Sequence, residues 1–124
     1  MGKSDFENLR VFQMAERLAD EVWEVVKSWD GFAKRTVGQQ IVRAADSVGA
    51  NIAEGAGRGS YADNRRFVRI ARGSLYEVKF FLRRAYRRGL LTDVQAKSLR
   101  PLVDDLAPML NAYLRSLSRR STNH

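Results

Sequence analysis

TVGQQIVRAADSVGANIAEGAGRGSYADNRRFVRIARGSLYEVKFFLRRAYRR, residues 36–88, decides the fold. Read at about 100° per residue, its first part gathers Val37, Ile41, Ala44, Ala45, Val48 and Ile52 on one face, which predicts an amphipathic helix from about Thr36 to Glu54. The glycines of GAGRGS (55–60) stop that helix, because glycine takes the turn conformations that other residues resist. Ser60 followed by Asp63 is an N-cap signal for another helix, Tyr61 to about Arg88, which Gly89 ends from the C′ position.

The same periodicity extends outward in both directions. Upstream, Val11, Ala15, Leu18, Val22, Val25 and Val26 share a face with helical spacing over about Leu9 to Ser28, and Trp29-Asp30-Gly31-Phe32 breaks it. Downstream, Thr92 with Gln95 forms a capping box that opens a fourth helix, residues 93–118. Pro101 and Pro108 lie inside it and each removes a backbone donor, so a kinked or interrupted helix is expected, with residues 119–124 as a disordered tail. Alternating β-branched runs and hairpin dipeptides are nearly absent. Short links between long amphipathic helices predict an all-α class: a single domain, 1–124, built as an antiparallel up-down-up-down four-helix bundle.

Charge is the second signal. Residues 58–88 hold ten basic side chains and two acids, a surplus that equals the whole net charge of +8; the rest of the chain has twelve of each sign. With Arg65 as zero, Arg65, Arg69, Arg72, Lys79, Arg83 and Arg87 fall within a stripe about 80° wide and about 33 Å long. Phe67, Ala71, Leu75, Val78, Leu82 and Ala85 cluster opposite as the core face. A solvated charged face is the ordinary reading of such a stripe, but solvated faces interleave signs, and here Glu77 is the only acid between Arg65 and Arg88. Like charges four residues apart destabilise a helix by a few tenths of a kcal/mol per pair, so a polyanion or acids from elsewhere should offset them. Ile70, Phe80 and Phe81 fall outside the core face and are candidates for an oligomer interface, Phe80 for base stacking as well.

Within 39–78, the strings Arg43-Ala-Ala45, Asn51-Ile52-Ala53-Glu54-Gly55, Arg58-x-Ser60 and Ala71-Arg72-Gly73-Ser74-Leu75 followed by Glu77 resemble a known signature. It is that of the four-helix-bundle proteins encoded in intervening sequences of bacterial 23S rRNA genes. Phe6-x-x-Leu9-x-Val11-Phe12-Gln13 and Met109-Leu110 fit it too, so the resemblance spans nearly the whole chain. It departs at Phe12, where tryptophan is frequent, and in the two prolines of the last helix. The resemblance implies a small basic bundle that assembles as a ring, a homopentamer, with RNA or DNA binding suspected and no established enzyme activity. A similar bundle is the accessory variability protein of diversity-generating retroelements, which works with a reverse transcriptase.

The polar side chains of the second helix have a structural reading. Gln40, Arg43, Ser47, Asn51 and Glu54 share the face away from its apolar stripe. Arg43, Asn51, Glu54 and Arg58 are expected to form a polar cluster, with Glu54 accepting from an arginine of the third helix or a neighbouring subunit and Asn51 holding the glycine turn. Gly73 inside a helix costs about 1 kcal/mol relative to alanine, which suggests close approach of another helix.

Catalytic constellations are missing. The one histidine is His124, there is no cysteine, and Asp104 and Asp105 diverge by about 100° on a helix, a poor metal pair. GKS at 2–4 lacks the glycine loop of a phosphate-binding motif, and GAGRG follows a helix rather than a strand. No catalytic residue, metal or cofactor is expected. No apolar run approaches the roughly 20 residues of a membrane span, and residues 1–10 carry no signal-peptide core, so a cytoplasmic protein is expected. The reading is a non-enzymatic, low-specificity binder of RNA or DNA acting through Arg65, Arg69, Arg72, Lys79, Arg83 and Arg87. The alternative is an adaptor whose basic face docks an acidic protein such as a reverse transcriptase.

Overall fold

The computed structural model describes residues 5–122, and every regular element among them is helical. A 3₁₀ turn (Asp5–Asn8) leads into α1 (Arg10–Val26). A single turn, α2 (Gly31–Ala33), and a π-helical turn (Lys34–Gly38) run without a break into α3 (Gln39–Ala56). The chain then forms α4 (Tyr61–Arg87) and α5 (Asp93–Thr122). The four long helices are the four expected from periodicity, with α4 the basic one.

The caps explain the boundaries. Ser60 Oγ accepts from the Asp63 N–H at 3.1 Å and starts α4. Gly89, at φ 75°, ends it with paired bonds from Leu90 N to the Ala85 carbonyl (2.9 Å) and Gly89 N to the Tyr86 carbonyl (3.1 Å), the Schellman arrangement. Thr92 and Gln95 exchange side-chain and backbone bonds of 3.0 and 3.1 Å, the capping box that opens α5. A cap that the sequence reading passed over is Asp30, whose carboxylate accepts from Ala33 N at 2.9 Å. Helical structure therefore resumes at Gly31 rather than Thr36.

The last helix corrects the expectation of an interruption. α5 is continuous through Pro101 and Pro108. Both prolines are exposed, as are Lys97 and Asp104 four residues before them, so the carbonyls that lose an N–H partner lie on the wet side of the helix. The helix also runs to Thr122, which places residues 119–122 in regular structure rather than in a tail; Asn123 and His124 lie outside the described residues.

Extensive contacts run from α1 to α3, α3 to α4, α4 to α5 and α5 to α1, so each long helix has two neighbours. Pairs such as Ser47–Ser74 with Gly55–Asn64, and Asn64–Tyr113 with Arg72–Asn111, advance on one helix as they retreat on the next. That is the antiparallel up-down-up-down four-helix bundle. Leu18, Val22, Ile41, Val48, Ile52, Leu75, Val78, Leu106 and Leu110 fill its centre. All six expected core residues of the second helix are buried, while Val25, Phe67 and Leu82 are only partly so. Gly55 fixes the α3–α4 spacing: a Cβ there would come 2.6 Å from Asn64 Oδ1 and 3.0 Å from Phe67 Cβ.

Candidate nucleic-acid interface

A helix stripe becomes an interface only through what packs beside it. The core face of α4 is turned to the bundle centre, so the stripe emerges along the flank that meets α5. Arg65 Nη1 reaches the Leu117 carbonyl at 3.4 Å, and Arg72 Nη1 donates to Asn111 Oδ1 at 3.0 Å. Both guanidiniums are half-buried and held in place, with further donors still available. Arg69, Lys79, Arg83 and Arg87 are exposed.

The α5 side of this flank is basic too. Arg69 and Arg72 share a groove of about 500 Å³ with Arg115, Arg119, Asn111 and Ser118 of α5. Further along, Lys79 and Arg83 border a second hollow of about 450 Å³ with Lys97 and Arg100 of α5. Arg69, Arg72, Lys79 and Arg83 thus form one wall of a two-walled basic channel made of these two hollows, whose lining includes neither Arg65 nor Arg87. Lys97, Arg100, Arg115 and Arg119 were missed by reading α4 alone. Their signal is that 97, 100, 104, 111, 115 and 118 recur at helical spacing along one flank of α5.

The electrostatics of the channel are unbalanced. Ion pairs among the described residues join Arg17 to Glu21, Lys27 to Glu24, Arg58 to Glu54 and Arg66 to Asp63. None involves Arg65, Arg69, Arg72, Lys79, Arg83 or Arg87. Asp93 and Asp104 line the hollow beside Lys79 and Arg83, but neither forms an ion pair with them, so the like-charge cost of the stripe is only partly offset. Near the far end, the Tyr86 hydroxyl donates to Asp93 Oδ1 at 2.9 Å. That bond and the carboxylate's charge push the phenol above its ordinary value.

The other expected residues are placed as follows. Glu54 pairs with Arg58 across the glycine turn, rather than with an arginine of α4. Asn51 Nδ2 donates to the Ser47 carbonyl (2.8 Å) and Ser47 Oγ (2.9 Å), back along α3 and not to the turn. Ser47 Oγ also accepts from Ser74 Oγ at 3.0 Å, which makes a polar seam between α3 and α4. Arg43 is exposed and joins no hydrogen bond or ion pair among the described residues. The turn is held instead by backbone bonds from Gly57 and Arg58, and by the guanidiniums of Arg58 and Arg66 lying 4.6 and 4.5 Å from the Phe67 ring centre.

Ile70 and Phe80 are exposed, and Phe81 is partly buried against the core with its ring edge-on to Phe80 at 5.2 Å. Nothing lies within 4 Å of a Cβ built on Gly73, so no helix of this chain makes the close approach expected there. Among the described residues no group of three or more His, Cys, Asp or Glu could hold a metal, and no helix is long and apolar enough to cross a membrane.

Comparison with known proteins bears on the fold and the family. A family model described as 23S rRNA-intervening sequence protein matches residues 7–112. Among solved structures, the chain is similar to a protein of unknown function from the S23 ribosomal protein family from Bacteroides thetaiotaomicron VPI-5482. The TM-score is 0.75 at 23% identity, over 84% of this chain and 97% of that one, a likeness of fold. No curated protein matches.

Proposed function

This chain belongs to the 23S rRNA-intervening sequence protein family, and we propose that it is a non-enzymatic, low-specificity nucleic-acid-binding protein. The observation that carries this reading is the channel between α4 and α5, whose stripe cations join no ion pair among the described residues. A linear polyanion is the partner that matches a line of cations, and release of its counterions supplies the binding free energy. Phosphate contacts position a nucleic acid without reading its sequence, hence the low specificity. Such a protein would act in the cytoplasm.

We further propose self-association through the outer face of α4. Ile70 and Phe80 are 43 and 56% exposed beside Gly73, whose open surface would admit a helix of a second copy. A ring, expected as a pentamer, would repeat the channel and raise weak phosphate contacts to useful avidity. The test is charge reversal at two exposed positions, Arg69→Glu with Arg83→Glu. Fluorescence anisotropy with labelled RNA and duplex DNA should show binding by the parent and none by the variant. Equal binding by both would refute the assignment. Absence of binding by the parent at about 50 mM salt would turn attention to an acidic protein partner.

A further inference from the structure

The two hollows of the channel differ in chemistry. The one around Arg69, Arg72, Arg115 and Arg119 has no carboxylate in its lining and a single leucine, Leu114, a chemistry that suits phosphates. The hollow of about 450 Å³ near the α4–α5 turn has an apolar floor of Leu82, Leu91, Leu99 and Val103 below its cationic rim. It also contains acceptors. Asp104 lines it and has no ion pair or hydrogen bond from a side chain among the described residues, and Asp93 lines it while accepting from Tyr86. Pro101 and Pro108, moreover, withhold the N–H groups that would otherwise bond the carbonyls of Lys97 and Asp104, two lining residues.

A simple phosphate or a fatty carboxylate has no donor for those acceptors and would leave them unused. The ligand that fits has a flat apolar body, donor groups on its edge and negative charge on its flanks. A nucleobase with its adjoining phosphates has all three: faces for the leucines, amino groups for a carboxylate, and phosphates for Lys79, Arg83, Lys97 and Arg100. Tyr86 sits at the rim, half exposed, with its ring held by the bond to Asp93, a preset stacking surface. Arg72 and Leu82 are ten residues apart on α4, about 15 Å, so one short strand can occupy both hollows.

We propose that this hollow receives one unstacked base of a single-stranded nucleic acid whose phosphates follow the channel. The inference rests on the nucleic-acid reading above and narrows it, because a duplex keeps its bases stacked and offers only its backbone.

The test uses the full chain with labelled 12-nucleotide oligo(A), oligo(C) and oligo(U) and a 12-base-pair duplex. Ala96→Trp fills the hollow without changing charge, and Tyr86→Ala removes the stacking ring at an exposed site should the tryptophan variant fold poorly. Single strands should bind the parent more tightly than the duplex. Either variant should lower single-strand affinity about five- to one-hundred-fold while duplex affinity stays unchanged. Unchanged single-strand affinity in both variants would overturn the base pocket and leave phosphate binding standing. No binding of any probe at low salt would overturn both readings. Complete displacement of the strand by low-millimolar AMP or CMP would overturn the strand assignment in favour of a free nucleotide.

Discussion

Gly73→Ala separates what α4 needs for its own stability from what its outer face is for. Glycine in a helix interior is less favourable than alanine by about 1 kcal/mol, mostly through backbone entropy. An added methyl meets nothing within 4 Å at this position, so no clash opposes the gain. Unfolding entropy of about 2.1 cal/mol/K per residue over 124 residues converts the gain to a rise of about 4 °C in Tm for the isolated chain. The same methyl would stand between Ile70 and Phe80 and hold a second helix away. Thermal melts at concentrations where sedimentation shows a monomer should therefore give a more stable variant. Sedimentation at higher concentration should show weaker self-association than the parent. A monomeric variant that melts below the parent would refute the reasoning, because something in the chain would have to occupy that space. A more stable variant with undiminished association would place the interface elsewhere.

Gly55→Ala should do the opposite: its Cβ would sit 2.6 Å from Asn64 Oδ1 and 3.0 Å from both the Asn64 carbonyl and Phe67 Cβ. The helices must part, at a cost of about 1–3 kcal/mol, seen as a lower midpoint in urea unfolding. Ser60→Ala removes the acceptor for Asp63 N and should cost about 1 kcal/mol in the same assay. Asp46 is held above its ordinary carboxyl value, first by partial burial and then by the charge of Asp20. Because the folded state favours its protonated form, the associated stability is present below the unfolded value and is lost as pH rises through the raised one. Asp46→Asn should accordingly melt higher than the parent at pH 7 and match it near pH ~3; a variant less stable at pH 7 would contradict this.

What the sequence made legible followed from local rules. Ser60, Gly89 and the Thr92–Gln95 pair act within a few residues of themselves, so their reading depends on no neighbour. The apolar stripes of α1 and α3 were equally plain, since period and burial coincide there. What escaped depends on the partner across a groove. Glu54 was expected to meet an arginine of α4 or of a neighbouring subunit, and only the folded turn shows that it holds Arg58. The prolines of α5 looked disruptive because sequence gives their missing donor but not the wet side on which it falls. The basic stripe was visible on α4, whereas its second wall was masked by the acids Asp104 and Asp105 interspersed along α5. A channel belongs to two helices and their register, which no single helical wheel contains.

The most direct test of the channel as a phosphate site is the salt dependence of binding to a single-stranded RNA. If about five phosphates are engaged, log K should fall with log salt at a slope of about −3.5, an affinity loss of roughly a hundredfold between 50 and 200 mM. Arg69→Glu with Arg83→Glu should remove that binding across the whole salt range. A slope near zero, or one unchanged by the double reversal, would contradict the account and release the channel from any role in holding nucleic acid.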